Sequence, residues 1–151
     1  MFPLNLPAYD YKIKSEGLKP RIFDPIRKKY VLLTPEEWVR QHFINYLFTK
    51  KKYPLSLMKI EGGLKYNNQN KRSDIVVYNN QGKAVVLVEC KAPDVKITAD
   101  AFEQAARYNQ QLKVDYIIVT NGIGHYCSSI DYEKGSFDFL EDVPGFDKLI
   151  V

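Results

Sequence analysis

A chain of 151 residues with 45% hydrophobic and 26% charged residues has material for one domain with a real core, which excludes a disordered or fibrous polymer. Its 22 basic and 18 acidic residues leave a formal charge of +4, too mild to name a partner alone. Two cysteines, Cys90 and Cys127, exclude a disulfide framework or a cysteine-rich zinc site. No apolar run nears the roughly 20 residues of a membrane span, and Met1 to Asn5 lacks the regions of a signal peptide. A soluble, reducing, cytoplasmic setting without membrane contact is therefore expected.

Residues 1–20 read as a lead-in with one edge strand at 9–13. Two short strands follow, around the turn at Asp24-Pro25. Thr34-Pro35-Glu36-Glu37 starts a helix: Thr34 caps it, Pro35 suits the first turn and Glu37 completes a capping box. That helix should run to about Lys50, with Val39, Phe43, Tyr46 and Leu47 on one face. Lys50, Lys51 and Lys52 suit its C-terminal end.

Three strands are predicted next. Residues 58–66 are interrupted by Gly62-Gly63, a polar turn spans 67–71, and Ser73 to Tyr78 forms the second. After the turn at 79–82, Lys83 to Lys91 forms the third, whose apolar run at 84–88 marks a central strand buried on both faces. A second helix is expected at 99–112, then a buried strand at 115–120, and a terminal hairpin at 126–132 and 136–140. The strand-helix-strand crossover requires at least one parallel pairing, so the sheet is mixed and the fold class α/β. One domain over 1–151 is expected, with its core at about 21–127.

Two features point to chemistry. Asp74 begins one apolar strand, and the next ends in Glu89-Cys90-Lys91. Side chains alternate along a strand, so Glu89 and Lys91 share a side. Antiparallel pairing through the short turn at 79–82 brings Asp74 level with Glu89. Two carboxylates and an ammonium then converge. Two hard oxygen donors suit Mg²⁺, and the backbone carbonyl of Cys90 is a third candidate ligand. A metal there polarises a phosphate and acidifies a bound water, while Lys91 orients that water or steadies developing charge. The competing account is ordinary: strand-end acids, with Lys91 paired to Glu89. The basic clusters at 27–29, 50–52 and 71–72 are solvated loop and helix-end residues or, if gathered on one face, a phosphate-binding surface. His42 reads as a helix-surface or packing residue, His125 as structural, and Cys90 as a small buried residue.

The residues Arg72-Ser73-Asp74-Ile75-Val76-Val77-Tyr78, then Val88-Glu89-Cys90-Lys91, resemble the acid and Glu-x-Lys motifs of the PD-(D/E)XK nuclease superfamily. Ser73 stands where that pattern usually has proline. Gln104-Ala105-Ala106-Arg107-Tyr108 is similar to the Gln-x-x-x-Tyr motif of its RecB-like branch. More narrowly, Asp24-Pro25-Ile26-Arg27, Leu32 to Gln41 and Thr120-Asn121-Gly122 resemble the N-terminal domain of type I restriction enzyme R subunits. This resemblance covers about residues 21–127.

The resemblance implies a restriction-endonuclease-like core: a central mixed sheet flanked by two helices, with extra N-terminal strands and a C-terminal hairpin. It implies a Mg²⁺-dependent deoxyribonuclease, with Mn²⁺ as a substitute and endonucleolytic action favoured. Asp74, Glu89 and Lys91 would form the centre. DNA would be the substrate, and helicase or methylase-specificity subunits the partners. Gln104 and Tyr108 would support the site or touch DNA. Such families add a helix glutamate: Glu36 is favoured because it falls on the stripe of Val39 and Phe43, with Glu37 as the alternative. Arg72 and Arg40 are candidate phosphate contacts, although Arg40 could instead pair with Glu36 or Glu37. The alternative function is a catalytically silent domain that binds DNA or a protein.

Overall fold

Three short strands open the chain, each too brief to stand alone. Antiparallel pairing in the order β1 (Ile13–Glu16), β2 (Lys19–Asp24) and β3 (Lys29–Leu32) makes them one sheet. The computed structural model describes residues 2–62 and 73–149. Asp24 makes the β2–β3 turn: its Oδ1 accepts the amides of Ile26 at 2.7 Å and Arg27 at 3.2 Å. The edge strand expected at 9–13 begins only at Ile13. The residues before it serve packing instead. Tyr11 lies edge-on to Trp38 at 5.0 Å, and Tyr9 edge-on to His42 at 5.0 Å.

α1 (Pro35–Lys50) starts as its sequence dictates, with Thr34 Oγ1 accepting the Glu37 amide at 3.0 Å and proline in the first turn. Val39, Phe43, Ile44 and Leu47 are buried. His42 is buried too, its Nδ1 2.9 Å from the Trp38 carbonyl. Burial lowers the His42 pKa from 6.5, outweighing that hydrogen bond. The folded state therefore binds a proton less readily than the unfolded chain. Stability from this group is full above about pH 6.5 and is lost as pH falls through the lower folded value. Thermal melting between pH 7.5 and 5 should show this loss, and His42→Phe should flatten that part of the profile.

The main sheet has six strands in sequential order: β4 (Met58–Gly62), β5 (Ser73–Tyr78), β6 (Ala84–Cys90), β7 (Tyr116–Thr120), β8 (His125–Asp131) and β9 (Ser136–Leu140). β6 and β7 run parallel and every other neighbouring pair is antiparallel. The expected crossover is thus present, and the fold is mixed α/β. β6 is buried along its whole length. The terminal hairpin is β8–β9, which extends the sheet. The strand expected at 58–66 is β4 as far as Gly62; its remainder and the turn at 67–71 lie outside the described residues.

The helices cover opposite faces. Val39, Phe43 and Leu47 of α1 share one cluster with Ile75, Val77, Val86, Val88 and Ile118. On α2 (Ala99–Tyr108), Phe102 and Ala105 share the other with Val76, Leu87, Ile117 and Val119. α2 ends at Tyr108, four residues before the expected Leu112. Buried Asn109 stops it, giving its Nδ2 to the Tyr132 hydroxyl at 2.8 Å and accepting the Val114 amide at 3.2 Å. Those bonds turn the chain directly into β7.

Candidate metal centre and its charge network

β5 and β6 bring the acids together. Ile75 pairs with Val88, so the same register continued by one residue sets Asp74 opposite Glu89. Asp74 shares its strand face with Val76, and Glu89 with Leu87, both in the cluster under α2. Asp74 is 4% exposed and Glu89 2%. Two carboxylates so placed repel each other and lose hydration, a cost that nearby positive charge offsets. Lys91 supplies one such charge, with Nζ 3.6 Å from Glu89 Oε1. Its amide donates to the Thr120 carbonyl at 2.8 Å, which pins the residue to the end of β7. The Lys91 side chain is 27% exposed, so its ammonium sits where the buried acids meet solvent.

Sequence reasoning missed one acid in this row. Glu61 of β4 pairs with Asp74, so Glu61, Asp74 and Glu89 lie in line across three strands. The Tyr78 hydroxyl donates to Glu61 at 2.8 Å; burial first, and then Glu61, pushes that hydroxyl up to about 12. The alternation of 58–62 could have flagged Glu61, but its register depends on the long connection to β5.

The donor set fits a hard divalent ion. Among the described residues, no three His, Cys, Asp or Glu side chains gather to hold a metal. Asp74 and Glu89 thus stand as a carboxylate pair, the kind of site at which Mg²⁺ keeps several of its waters. The Cys90 thiol is not a ligand candidate: it is buried in the α1-side cluster, and burial pushes it up to about 12.

A second set of charges lies at the start of α1. Glu37 is buried, and its carboxylate accepts from Arg27 at 2.9 Å, Arg40 at 2.8 Å and Gln41 at 2.9 Å. Arg27 also pairs with fully buried Asp24. Arg40 reaches Glu36 as well, at 2.6 Å. The expectation that Glu36 faces the sheet is therefore corrected: its side chain is 47% exposed, and Glu37 points inward. The reason is that Arg27, arriving from the β2–β3 turn, and Gln41 one helical turn on both offer donors to the inner position.

Arg40 is 3% exposed and paired with both glutamates, so pairing rather than phosphate contact is its place here. Burial would lower its pKa, but Cys90, Glu37 and Glu36 together raise it. The Cys90 thiol in turn feels Arg40, Asp74, Glu36 and Glu37. Gln104 is exposed on α2, away from the face that Phe102 and Ala105 bury, and Tyr108 is the last residue of that helix. Arg72 lies outside the described residues. His125 is structural, as expected: its ring nitrogens lie 2.7 Å from Thr120 Oγ1 and 2.8 Å from the Asn5 carbonyl. Among the described residues, no helix is long and apolar enough to cross a membrane.

A family model described as type I restriction enzyme R protein N terminus matches residues 35–144. The match begins at α1 and runs past β9, taking in the six-stranded sheet and both helices. The resemblance read over 21–127 is thus shifted toward the C-terminus, and the three-stranded sheet lies outside it. Neither curated proteins nor solved structures give a match. The family match spans well over half of the chain, which therefore belongs to the type I restriction enzyme R protein N-terminus family.

Proposed function

We propose that this chain is a Mg²⁺-dependent deoxyribonuclease domain of a type I restriction system. The observation that carries the reading is the buried pair Asp74 and Glu89, level across β5 and β6, with the Lys91 ammonium 3.6 Å from Glu89. Asp74 and Glu89 would hold the metal, with the Cys90 carbonyl as a further donor. Bound there, Mg²⁺ supplies positive charge to the scissile phosphate and acidity to a water. Lys91 donates hydrogen bonds at the solvent edge of the pair. There it can orient the attacking water or hold a non-bridging phosphate oxygen. Gln104, exposed on α2, would be a supporting contact rather than part of the centre.

Glu37 is a positioning residue in this reading. It holds α1 to the β2–β3 turn through Arg27 and braces Arg40 of the same helix. Purified protein should nick supercoiled plasmid with Mg²⁺ or Mn²⁺ and not with EDTA. Nicking indifferent to EDTA would sink the mechanism.

One observation favours a second reading, a silent domain that binds DNA or a protein. Both oxygens of the inward glutamate, Glu37, are already engaged by arginines and Gln41. Calorimetric titration with Mn²⁺ separates the two. The nuclease reading expects one binding event that Asp74→Ala removes. No heat in the wild-type protein, together with salt-sensitive DNA binding, would favour the silent domain.

A further inference from the structure

Thr120-Asn121-Gly122 make the turn between β7 and β8, and each has a distinct physical job. Thr120 is fully buried; its Oγ1 accepts the Gly122 amide at 3.0 Å and lies 2.7 Å from His125 Nδ1. Gly122 has φ +85°, and a Cβ there would meet Leu4 Cδ2 at 2.7 Å and Val39 Cγ2 at 3.1 Å. Glycine is the residue that tolerates both constraints. Backbone conformation and close packing thus shape this turn on either side of Asn121.

The Asn121 side chain bonds in two different ways. Its Oδ1 accepts the amides of Ile123 at 2.9 Å and Gly124 at 2.8 Å. These are local turn bonds, and an aspartate would accept them equally well. Its Nδ2 donates to the Val95 carbonyl at 2.9 Å, across 26 residues of chain. An ionised carboxylate only accepts, so it cannot make that bond. The turn alone calls for a side-chain oxygen; the amide nitrogen serves Val95.

Val95 closes the segment that begins at Lys91. At the near end, the Lys91 amide donates to the Thr120 carbonyl at 2.8 Å. Within the segment, the Val95 amide turns back onto the Ala92 carbonyl at 3.0 Å. At the far end stands the bond from Asn121. Two consecutive residues, Thr120 and Asn121, therefore clamp residues 91–95 at both ends. β6 stops at Cys90, so the clamp carries on where strand pairing ends. Burial does little of this work at the far end, because Val95 is 41% exposed.

We propose that Asn121 is a positioning residue for Lys91: its amide holds residues 91–95 against the β7–β8 turn and so fixes where the Lys91 ammonium stands beside Glu89. The role rests on the nuclease reading for its catalytic consequence. A lysine side chain is a flexible four-carbon stem, so a fixed backbone limits the places its ammonium can reach. Releasing the segment lets the chain fray at Lys91. A shift of about 1 Å in a positioned group can slow chemistry by about 10²-fold.

The experiment compares the full-length wild-type chain with Asn121→Asp and Asn121→Ala. Amide hydrogen exchange is measured first, in EDTA. In Asn121→Asp the Lys91 and Val95 amides should exchange about tenfold faster, whereas Ile123 and Gly124 keep their protection, as a local opening requires. Plasmid nicking at saturating Mg²⁺ is measured next. Its kcat should fall by about tenfold or more in Asn121→Asp. KM for DNA and the calorimetric Mn²⁺ event should stay as in the wild type, because Asp74 and Glu89 are untouched. Asn121→Ala, which brings no charge, should slow nicking at least as much.

A residue that served the turn alone would behave differently. Asn121→Asp would then exchange and nick like the wild type while Asn121→Ala failed, and that result overturns the proposal. Faster exchange at Lys91 and Val95 with normal kcat overturns it too. So does a fall in kcat matched by loss of the Mn²⁺ event, which would place the defect in the carboxylate pair. A wild-type protein that nicks with neither Mg²⁺ nor Mn²⁺ ends the nuclease reading, and this role with it. A nicking wild type beside an equally fast Asn121→Asp removes this role alone.

Discussion

Lys91→Ala is expected to lower Mg²⁺-dependent plasmid nicking by about 10²–10⁴-fold, the range for loss of one positioned proton donor or charge-stabilising group. The expectation follows from where the ammonium stands. It is 3.6 Å from Glu89 Oε1 and partly exposed, while the carboxylates behind it are buried. In the proposed nuclease reading, a substrate phosphate approaching from solvent would meet Lys91 at the edge of the pair. The variant should keep the Mn²⁺ binding event seen by calorimetry, because Asp74 and Glu89 are intact. Asp74→Ala should lose both binding and cleavage.

This split separates the two roles. A Lys91 that served only to neutralise Glu89 would be replaceable once metal is bound, and Lys91→Ala would then cut normally at saturating Mg²⁺. Normal cutting would reduce Lys91 to a counter-charge. A linked effect is measurable without turnover. Removing the lysine leaves Glu89 with less nearby positive charge, so Mg²⁺ should raise the melting temperature of the variant more than that of the wild type.

The parts of the site that local rules control were legible in the sequence. Strand alternation and the tight turn at Asn79 and Gly82 were enough to bring Asp74 near Glu89, but their level pairing also needs the one-residue register shift at Val77/Tyr78, which the sequence did not announce. Asn79 Oδ1 accepts the amides of Gln81 and Lys83, both at 2.9 Å, and Gly82 has φ +80°. The start of α1 was legible for the same reason, since capping is local. Glu61 was not, because its pairing with Asp74 crosses a long connection, and register over such a span is set by the whole sheet.

The choice between Glu36 and Glu37 also failed on distant partners. A hydrophobic stripe of Val39, Phe43 and Leu47 says which helix face is apolar. It cannot say that Arg27, from a turn ten residues earlier, will draw Glu37 inward. Four polar or aromatic-polar positions of α1 show how far tertiary pairing overrides the pattern. Glu37, Arg40, Gln41 and His42 are all buried. Each of them bonds to Arg27, to a backbone carbonyl or to another of the four.

Glu37→Ala should be among the most destabilising single changes in the chain, costing about 3–5 kcal/mol, because it strips a buried carboxylate from two arginines. For a domain of this size that is a fall in melting temperature of about 6–20 °C. Arg40 is the reason for the size of the effect. It is 3% exposed, so losing Glu37 leaves its guanidinium buried with only the half-exposed Glu36 among its carboxylate partners here. Glu36→Ala makes the contrast. Its Arg40 pair is open to solvent on the glutamate side, and the expected cost is about 1 kcal/mol or less. The double variant Glu37→Leu/Arg40→Met should recover much of the loss, since replacing both members of a buried pair with apolar groups is often neutral. Arg27 would keep Asp24 in that variant. Urea melts of the four proteins test the scheme. Equal destabilisation by Glu36→Ala and Glu37→Ala, or a double variant weaker than Glu37→Ala, would show that the inward glutamate is not what holds α1 to the N-terminal sheet.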